Sequence, residues 1–196
     1  MGYRMKTPIS EVDVRRLRVG DTLYLDGVVF TARDEAHKRA LDYAKEGKAL
    51  PIATEDLAMF HCGPIAQRVD SGWRIVSAGP TTSTRMEMFE ADFLDRFKVR
   101  VIIGKGGMGK RTTEAMARVG AVYCAFTGGA GALGAGAVQS VKGVEWLDLG
   151  MPEALWVLEV KAFGPLTVAI DTHGNNLYEE VTRRVEENLK RIYARL

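Results

Sequence analysis

Three times along this chain, a strand-like run ends in a turn, and a cationic side chain stands where a helix is expected to begin. The turns lie at residues 31–34, 79–86 and 104–110. This alternation of strands and helices predicts a mixed α/β fold. A helix N-terminus already carries partial positive charge from unpaired N–H groups, so Asp or Glu would be more stable there than Arg or Lys. The three cations therefore predict one external anion that carries two carboxylates.

Length and composition are those of an ordinary globular protein. The 196 residues are 46% hydrophobic, and the formal net charge of +2 is too small to indicate a nucleic-acid partner. Neither a domain linker nor an internal repeat is visible, so we expect one domain over residues 1–196. The N-terminus lacks an apolar signal core, and no apolar run approaches the roughly 20 residues of a membrane span. We therefore expect a cytoplasmic protein with no membrane partner.

The two cysteines do not form a disulfide framework. Cys124 lies in an apolar, strand-like run, which favours a buried and inert thiol. Cys62 follows His61 and precedes a Gly-Pro pair, and a structural turn is favoured there over a metal site. Two thiols cannot hold an iron–sulfur cluster, which needs three or four thiolates.

Local patterns predict where several elements begin. The run at residues 22–30 is typical of a hairpin closed by an Asp-Gly pair. Thr31 is the expected N-cap of the helix that follows it. Further along, Thr84 and Glu87 have the spacing of a capping box at the start of a second helix.

The second half of the chain is less regular. Residues 127–137 are nearly all small, which favours a tightly packed loop over a flexible lid. Residues 155–160 and 166–170 are expected to form two separate strands. Asn176 is expected to cap an amphipathic helix with a structural role.

The glycine-rich loop from Gly104 to Lys110 fits both the phosphate-loop spacing G-x-x-x-x-G-K and the dinucleotide spacing G-x-G-x-x-G. Arg111 follows Lys110, where a phosphate loop has the Ser or Thr that ligates magnesium. The next strand ends at Phe126 and Thr127 with no acid for a ribose. A phosphate-loop nucleotide-binding protein remains an alternative. The loop itself predicts an anion cradle made of backbone N–H groups and a lysine.

Several motifs, in order over roughly residues 20–180, carry a family resemblance. They are Thr-Ala-Arg-Asp-Glu-Ala-His at 31–37, His-Cys-Gly-Pro at 61–64, Gly-Pro-Thr-Thr-Ser-Thr-Arg-Met at 79–86, Gly-Lys-Gly-Gly-Met at 104–108, Thr-Gly-Gly-Ala at 127–130, Asp-Leu-Gly-Met-Pro-Glu-Ala at 148–154 and, more weakly, Asp-Thr-His-Gly-Asn at 171–175. With these motifs the chain resembles the β subunit of class I, iron–sulfur dependent fumarate hydratases and of the related L-tartrate dehydratases. It is also similar to the C-terminal domain of the fused, single-chain enzymes.

The resemblance implies a three-layer swivelling β/β/α domain with mixed sheets. It also implies a partner α subunit whose three cysteines hold a 4Fe-4S cluster, an α/β hetero-oligomer, and a hydro-lyase that is active only as that pair. Arg33, Arg85 and Lys105 would bind the dicarboxylate substrate, and Thr81 would be the candidate base, with Arg85 assisting it. No metal ligand is expected in this chain.

The chemistry of hydration suits these residue types. Dehydration of malate removes a proton next to a carboxylate, so charge builds on that carboxylate in the transition state. An arginine offers a planar fork of donors that matches a carboxylate, and cations in a water-poor site stabilise developing charge.

Residues next to Arg33, Arg85 and Lys105 are expected to orient these substrate-binding side chains. Asp34 would begin a helix and orient Arg33, while His37 lies four residues further on the same helix face. Gly106 and Gly107 would let backbone N–H groups approach the substrate.

We expect a β subunit that helps to hydrate fumarate reversibly to L-malate. The alternatives are an L-tartrate dehydratase β subunit, a phosphate-loop nucleotide-binding protein, and a non-catalytic scaffold for a partner chain. Ser83 and Thr84 replace a smaller Ala-Gly pair that is frequent in the family, which is expected to narrow the pocket or change substrate preference.

Overall fold

The structure is a computed structural model that describes residues 2–70 and 72–194. Its strands are β1 (Gly2–Lys6), β2 (Thr22–Thr31), β3 (Ala58–Phe60), β4 (Ile65–Val69), β5 (Gly72–Ser77), β6 (Val101–Gly104), β7 (Val122–Ala125), β8 (Val138–Glu145) and β9 (Leu155–Ile170). Its helices are α1 (Glu11–Val14), α2 (Asp34–Lys45), α3 (Glu87–Phe97), α4 (Lys110–Val119), α5 (Gly131–Ala137) and α6 (Leu177–Tyr193), with 3₁₀ turns at Ser83–Met86 and Leu147–Leu149. The predicted mixed α/β class is confirmed.

Seven strands form one mixed sheet in the order β1-β2-β3-β6-β7-β9-β8. Strands β1, β2, β3, β6 and β7 pair in parallel, whereas β9 is antiparallel to β7 and β8. Because β9 also pairs with β2, the strands β2, β3, β6, β7 and β9 form a closed ring. Strands β4 and β5 make a separate antiparallel ribbon.

Alternate residues of the parallel strands point to opposite faces and build two cores. On one face, Met59, Ile102 and Tyr123 pack with apolar residues of α2, α3 and α4. On the other face, Phe60 and Ile103 join residues from β9, the β4–β5 ribbon, α1 and α5. Helices α2, α3 and α4 therefore lie on one face of the ring, and the short helices α1 and α5 lie on the other.

The register of the parallel strands decides where the functional turns lie. Thr31 of β2 is opposite Phe60 of β3, which is opposite Ile103 of β6. All three strands therefore end at one edge of the sheet. The turns that follow them therefore emerge together at the carboxyl ends of these parallel strands.

The predicted hairpin at residues 22–30 is wrong. Strand β2 runs through these positions as one element, and Gly27, with φ of +93°, lies where the pairing with β9 shifts register. Residues Asp26 and Gly27 thus form a β-bulge inside a strand instead of a turn. The strands expected at 155–160 and 166–170 are likewise one continuous strand, β9.

The predicted caps of the first two long helices are also wrong. Arg33, not Thr31, is the N-cap of α2, and the Thr31 hydroxyl accepts a hydrogen bond from the backbone N–H of Trp156. A 3₁₀ turn precedes α3, so Thr84 does not cap that helix. Asn176 does cap α6, because its side chain accepts hydrogen bonds from the N–H groups of Tyr178 and Glu179.

The segment of small residues at 127–137 was predicted to be a tightly packed loop, but its second half forms helix α5. The close packing that was predicted for it is present. The N–H of Ala78 donates to the carbonyl of Gly131 at 2.9 Å. A Cβ added at Gly134 would lie 2.0 Å from the carbonyl oxygen of Ala78. Helix α5 therefore packs directly on the chain that leaves β5.

Helix α6 differs from the structural role expected of it. Leu177 and Tyr178 pack against the core, but Val181, Val185 and Leu189 remain about half exposed. The apolar stripe thus begins on the body of the protein and continues into solvent. Among residues 2–70 and 72–194, no helix has the length and apolar character needed to cross a membrane.

Candidate functional site

Arg33 lies at the edge formed by the ends of β2 and β3. Its guanidinium pairs with Glu153 at 3.1 Å and packs on Gly63, where an added Cβ would come within 2.6 Å of Nη1. Its Nε is buried without a hydrogen-bond partner among the described residues. Burial of an unpaired donor is costly, so an acceptor from outside the chain would be favourable here.

Asp34 connects the first two cationic turns. Its carboxylate pairs with Arg85 at 2.9 Å, and the Arg85 side chain remains 51% exposed. Asp34 does begin α2, as expected, but it pairs with Arg85, while Arg33 pairs with Glu153. Glu153 was not singled out from the sequence, although it lies within the motif at 148–154.

Thr81 and Lys105 are joined through the backbone. The N–H of Thr81 donates to the carbonyl of His61 at 2.6 Å, and the N–H of Lys105 donates to the carbonyl of Thr81 at 3.3 Å. A parallel bridge between Thr82 and Lys105 extends this contact. In the described part of the chain, no carboxylate pairs with the Lys105 ammonium, and the Thr81 hydroxyl makes no hydrogen bond.

These contacts bring the predicted site segments together. Asp34, which follows Arg33 in the chain, forms an ion pair with Arg85. The backbones of Thr81 and Lys105 are joined by a hydrogen bond. Gly106 and Gly107 have φ of +80° and +79°, a conformation that favours glycine. Gly107 is backed by the Tyr178 ring, which an added Cβ would approach within 2.5 Å.

The hydrogen-bond donors at the start of α4 are already bound by a side chain of the protein, Glu87. The Glu87 carboxylate accepts hydrogen bonds from the N–H of Gly109 at 2.6 Å and from the Thr112 hydroxyl at 2.9 Å. Lys110 points outward, with 84% of its side chain exposed and Glu114 3.9 Å away. A bound phosphate would need the donors that Glu87 already uses, so the structure disfavours the phosphate-loop alternative.

A buried ionisable cluster lies behind these turns. His37 and His61 both contact Oε2 of Glu90, at 3.3 and 3.0 Å, and all three side chains are fully buried. Burial opposes ionisation of Glu90, but the two imidazoles outweigh it and lower the pKa of the carboxyl to about 2. His37 is therefore a buried residue behind the site, and Glu90 was not anticipated from the sequence.

The Ser83 side chain points into the protein interior. Its hydroxyl is buried, 2.9 Å from Nδ1 of His61 and 3.0 Å from the Tyr123 hydroxyl. Ser83 was expected to narrow the pocket or change substrate preference, and its buried side chain makes these contacts within the protein instead of pointing into solvent. Thr84, its neighbour, is exposed.

The cysteines of this chain do not fit an iron–sulfur cluster. Both thiols are buried, and burial raises the pKa of Cys62 to about 12 and that of Cys124 as well. The side chains of Cys62 and Cys124 belong to the same apolar core. A cluster used by this protein would thus have to be held by ligands outside these 196 residues.

Comparison with known proteins identifies a family. A family model described as "Fumarase C-terminus" matches residues 3–181. An L(+)-tartrate dehydratase β subunit from Escherichia coli (strain K12) is 44% identical over 90% of this chain and 86% of its own length. A Methanocaldococcus jannaschii protein, provisionally assigned the same name, is 45% identical over 94% of this chain and 95% of its own length.

A longer relative contains a similar segment. A Geobacillus stearothermophilus protein, provisionally assigned as a class I fumarate hydratase, is 38% identical over 94% of this chain. The aligned segment covers 35% of that protein. The similarity therefore extends to a protein in which this unit is one part of a larger chain.

Proposed function

Because this chain belongs to the Fumarase C-terminus family, we propose that it is the β subunit of a two-subunit hydro-lyase that hydrates fumarate reversibly to L-malate. The family match over residues 3–181 carries this proposal. It is supported by the meeting of the Arg33, Thr81, Arg85 and Lys105 turns at one edge of the sheet.

The three cations suit a small diacid. Arg33 and Arg85 each pair with one carboxylate of the protein, which leaves other guanidinium donors for substrate. Lys105 has no such partner in residues 2–70 and 72–194. In the proposed complex these side chains hold the two substrate carboxylates and stabilise the charge that builds on one of them as the neighbouring proton leaves.

Thr81 is the proposed base. Its backbone is held by His61 on one side and Lys105 on the other, so its Cα and Cβ have defined positions beside Lys105. A hydroxyl is a weak base unless nearby positive charge lowers its pKa, and Arg85 on the same turn would supply that charge.

The remaining parts of the proposal concern the assembly. The α subunit would supply three cysteines that hold a 4Fe-4S cluster, and the cluster would supply Lewis-acid chemistry for the substrate hydroxyl. The β chain would close over that cluster as one swivelling β/β/α domain in the cytoplasm. The layer of helices α2, α3 and α4 on one face of the ring and the separate β4–β5 ribbon are compatible with this arrangement.

L-Tartrate dehydration is the second candidate. The relatives named as tartrate dehydratase β subunits are 44–45% identical to this chain, whereas the fumarate hydratase relative is 38% identical. Both substrates are 2-hydroxy diacids, so the same cations would serve either reaction.

Anaerobic co-expression with the cysteine-bearing α chain tests the proposal. The purified pair is assayed on fumarate, L-malate and both tartrate isomers. We expect the highest kcat/KM with fumarate and malate, and no turnover by the β chain alone. Preference for L(+)-tartrate would select the second candidate, and a cluster-loaded pair inactive on all four diacids would refute both.

Replacing Lys110 with alanine separates the hydro-lyase from the nucleotide-binding alternative. We expect kcat/KM of the pair to stay within about twofold. Lys110 is exposed and its long ion pair with Glu114 lies on the surface, so its removal should change stability and activity little. Isothermal titration with Mg-ATP should show no binding to the wild-type chain. ATP binding that disappears in the Lys110→Ala variant would contradict the proposed function.

A further inference from the structure

We propose that His37, Glu90 and His61, with Ser83 and Tyr123, form a buried relay that positions both the Arg33 turn and the turn at 81–85. This inference rests on the proposed function for its kinetic consequence. One end of the relay is Nδ1 of His37, 2.8 Å from the carbonyl oxygen of Arg33. The other end is Ser83, inside the second turn, which contacts Nδ1 of His61 at 2.9 Å.

The contacts determine the protonation of His37. A carbonyl oxygen only accepts hydrogen bonds, so Nδ1 of His37 must carry a proton toward Arg33. Nε2 of the same ring faces Oε2 of Glu90 at 3.3 Å, and because the Glu90 carboxyl has a lowered pKa and is ionised, we place the second proton on Nε2. His37 is therefore an imidazolium. Burial alone would lower its pKa, but the charge of Glu90 outweighs burial and raises it, and Asp34 acts in the same direction.

His61 has the opposite state. Its Nδ1 accepts from the Ser83 hydroxyl, which in turn accepts from the hydroxyl of Tyr123, so the ring proton is on Nε2, 3.0 Å from Oε2 of Glu90. Every proton then has a place, and His61 is neutral. Burial and the positive charge of His37 lower the pKa of His61 against the attraction of Glu90 and Asp34.

His37, Glu90 and His61 are buried, so the free-energy cost of burying their charges is offset mainly by their contacts with one another. Among the described residues, neither carboxylate oxygen of Glu90 and neither Nε2 has a partner with hydrogen-bond geometry, so the close approach of the rings to Glu90 is electrostatic. A buried ion pair is weak as a source of stability, since apolar residues of similar volume are often as good. Its place between two proposed substrate turns indicates a positioning role for His37, Glu90 and His61.

A metal ion is the competing explanation. The ligand atoms of the three residues lie within 4.8 Å of one another. However, ring nitrogens 3.0 and 3.3 Å from one carboxylate oxygen are at or just beyond hydrogen-bond distance. A buried structural zinc site also needs a fourth ligand, and the described part of the chain offers only this set of three.

Nitrogen NMR of the full chain with ¹⁵N-labelled histidine tests the relay without any assay of activity. The chain has three histidines, and His173 is exposed, so a His173→Gln variant assigns its resonances. At neutral pH we expect two protonated nitrogens in His37 and one, Nε2, in His61. A neutral His37 would overturn the proposal. Resonances that move when a chelator is added, with metal found in the sample, would overturn it in favour of a metal site.

Glu90→Gln tests the positioning role in the reconstituted pair. We expect kcat/KM to fall by about tenfold or more, because small displacements of substrate-holding groups are costly. In the labelled chain, His37 should become neutral. The control is Asp171→Asn, which changes another buried carboxylate, whose contacts are to Val19, His173 and Asn175. We expect its kcat/KM to remain within about twofold.

The outcomes separate the two proposals. Unchanged kinetics in a folded Glu90→Gln variant, or an equal loss in the control, would refute the positioning role. If Glu90→Gln does not fold, Ser83→Ala removes one link without removing a charge and should still lower kcat/KM severalfold. An inactive wild-type pair would refute the proposed function, whereas the NMR result would still decide the protonation pattern.

Discussion

Replacing Arg85 with alanine is expected to lower kcat/KM of the reconstituted enzyme by about 10²–10³-fold, the usual cost of removing one donor that stabilises transition-state charge. Arg85 is half exposed and pairs only with Asp34 among the described residues, so part of its guanidinium is available to substrate. The measurement is a steady-state assay of the anaerobic pair, with cluster content and subunit ratio checked for each preparation.

Arg118→Ala is the matched control for Arg85→Ala. Arg118 is 57% exposed and pairs with Asp95 at 2.6 Å, much as Arg85 pairs with Asp34. It lies in the last turn of α4, away from the sheet edge where the candidate site is found. We expect its kcat/KM to change by less than about twofold, since exposed ion pairs contribute little. An Arg85→Ala enzyme as active as the control would show that Arg85 does not bind the substrate.

Gly134→Ala is expected to destabilise the chain by about 1–3 kcal/mol, the usual range for overpacking. Its Cβ would lie 2.0 Å from the carbonyl oxygen of Ala78, and this neighbour is backbone that cannot rotate away. Helix α5 would have to move from the end of β5, which leads into the Thr81 turn. Thermal unfolding of the full chain measures the loss, at roughly 2–4 °C per kcal/mol for a protein of this size.

Gly136→Ala provides the contrast in the same helix. An added Cβ at Gly136 meets nothing within 4 Å. Alanine in a helix interior is about 0.5–1 kcal/mol more favourable than glycine, so this variant should be slightly more stable than wild type. Equal melting temperatures for the two variants would mean that α5 does not pack on Ala78 in solution.

Residues of the candidate site differ in how far they could be predicted. Arg33, Thr81, Arg85 and Lys105 stand in local turns after strands, and such turns can be recognised from adjacent residues. The partners of these residues could not be found in this way. Glu153 reaches Arg33 from a distant segment, and the order of the strands brings the two together.

The errors in the predicted elements have a common physical cause. An Asp-Gly pair suits either a tight turn or a bulge, and the pairing of β2 with β9 decides for the bulge at Gly27. Similarly, Thr84 and Glu87 have the spacing of a capping box. Glu87 instead accepts hydrogen bonds from N–H groups at the start of α4, because the N-terminal ends of α3 and α4 lie close together.

The mixed α/β class, the glycine and cation turns, and the family motifs could be recognised from the order of residues alone, because they depend on neighbouring residues and on short-range propensity. Only the tertiary structure decided that Asp34 pairs with Arg85, that Glu90 lies between His37 and His61, and that the apolar stripe of α6 stays exposed. Those outcomes depend on which distant segments pack together. Contacts of this kind arise from the closed ring of strands, and no local pattern encodes them.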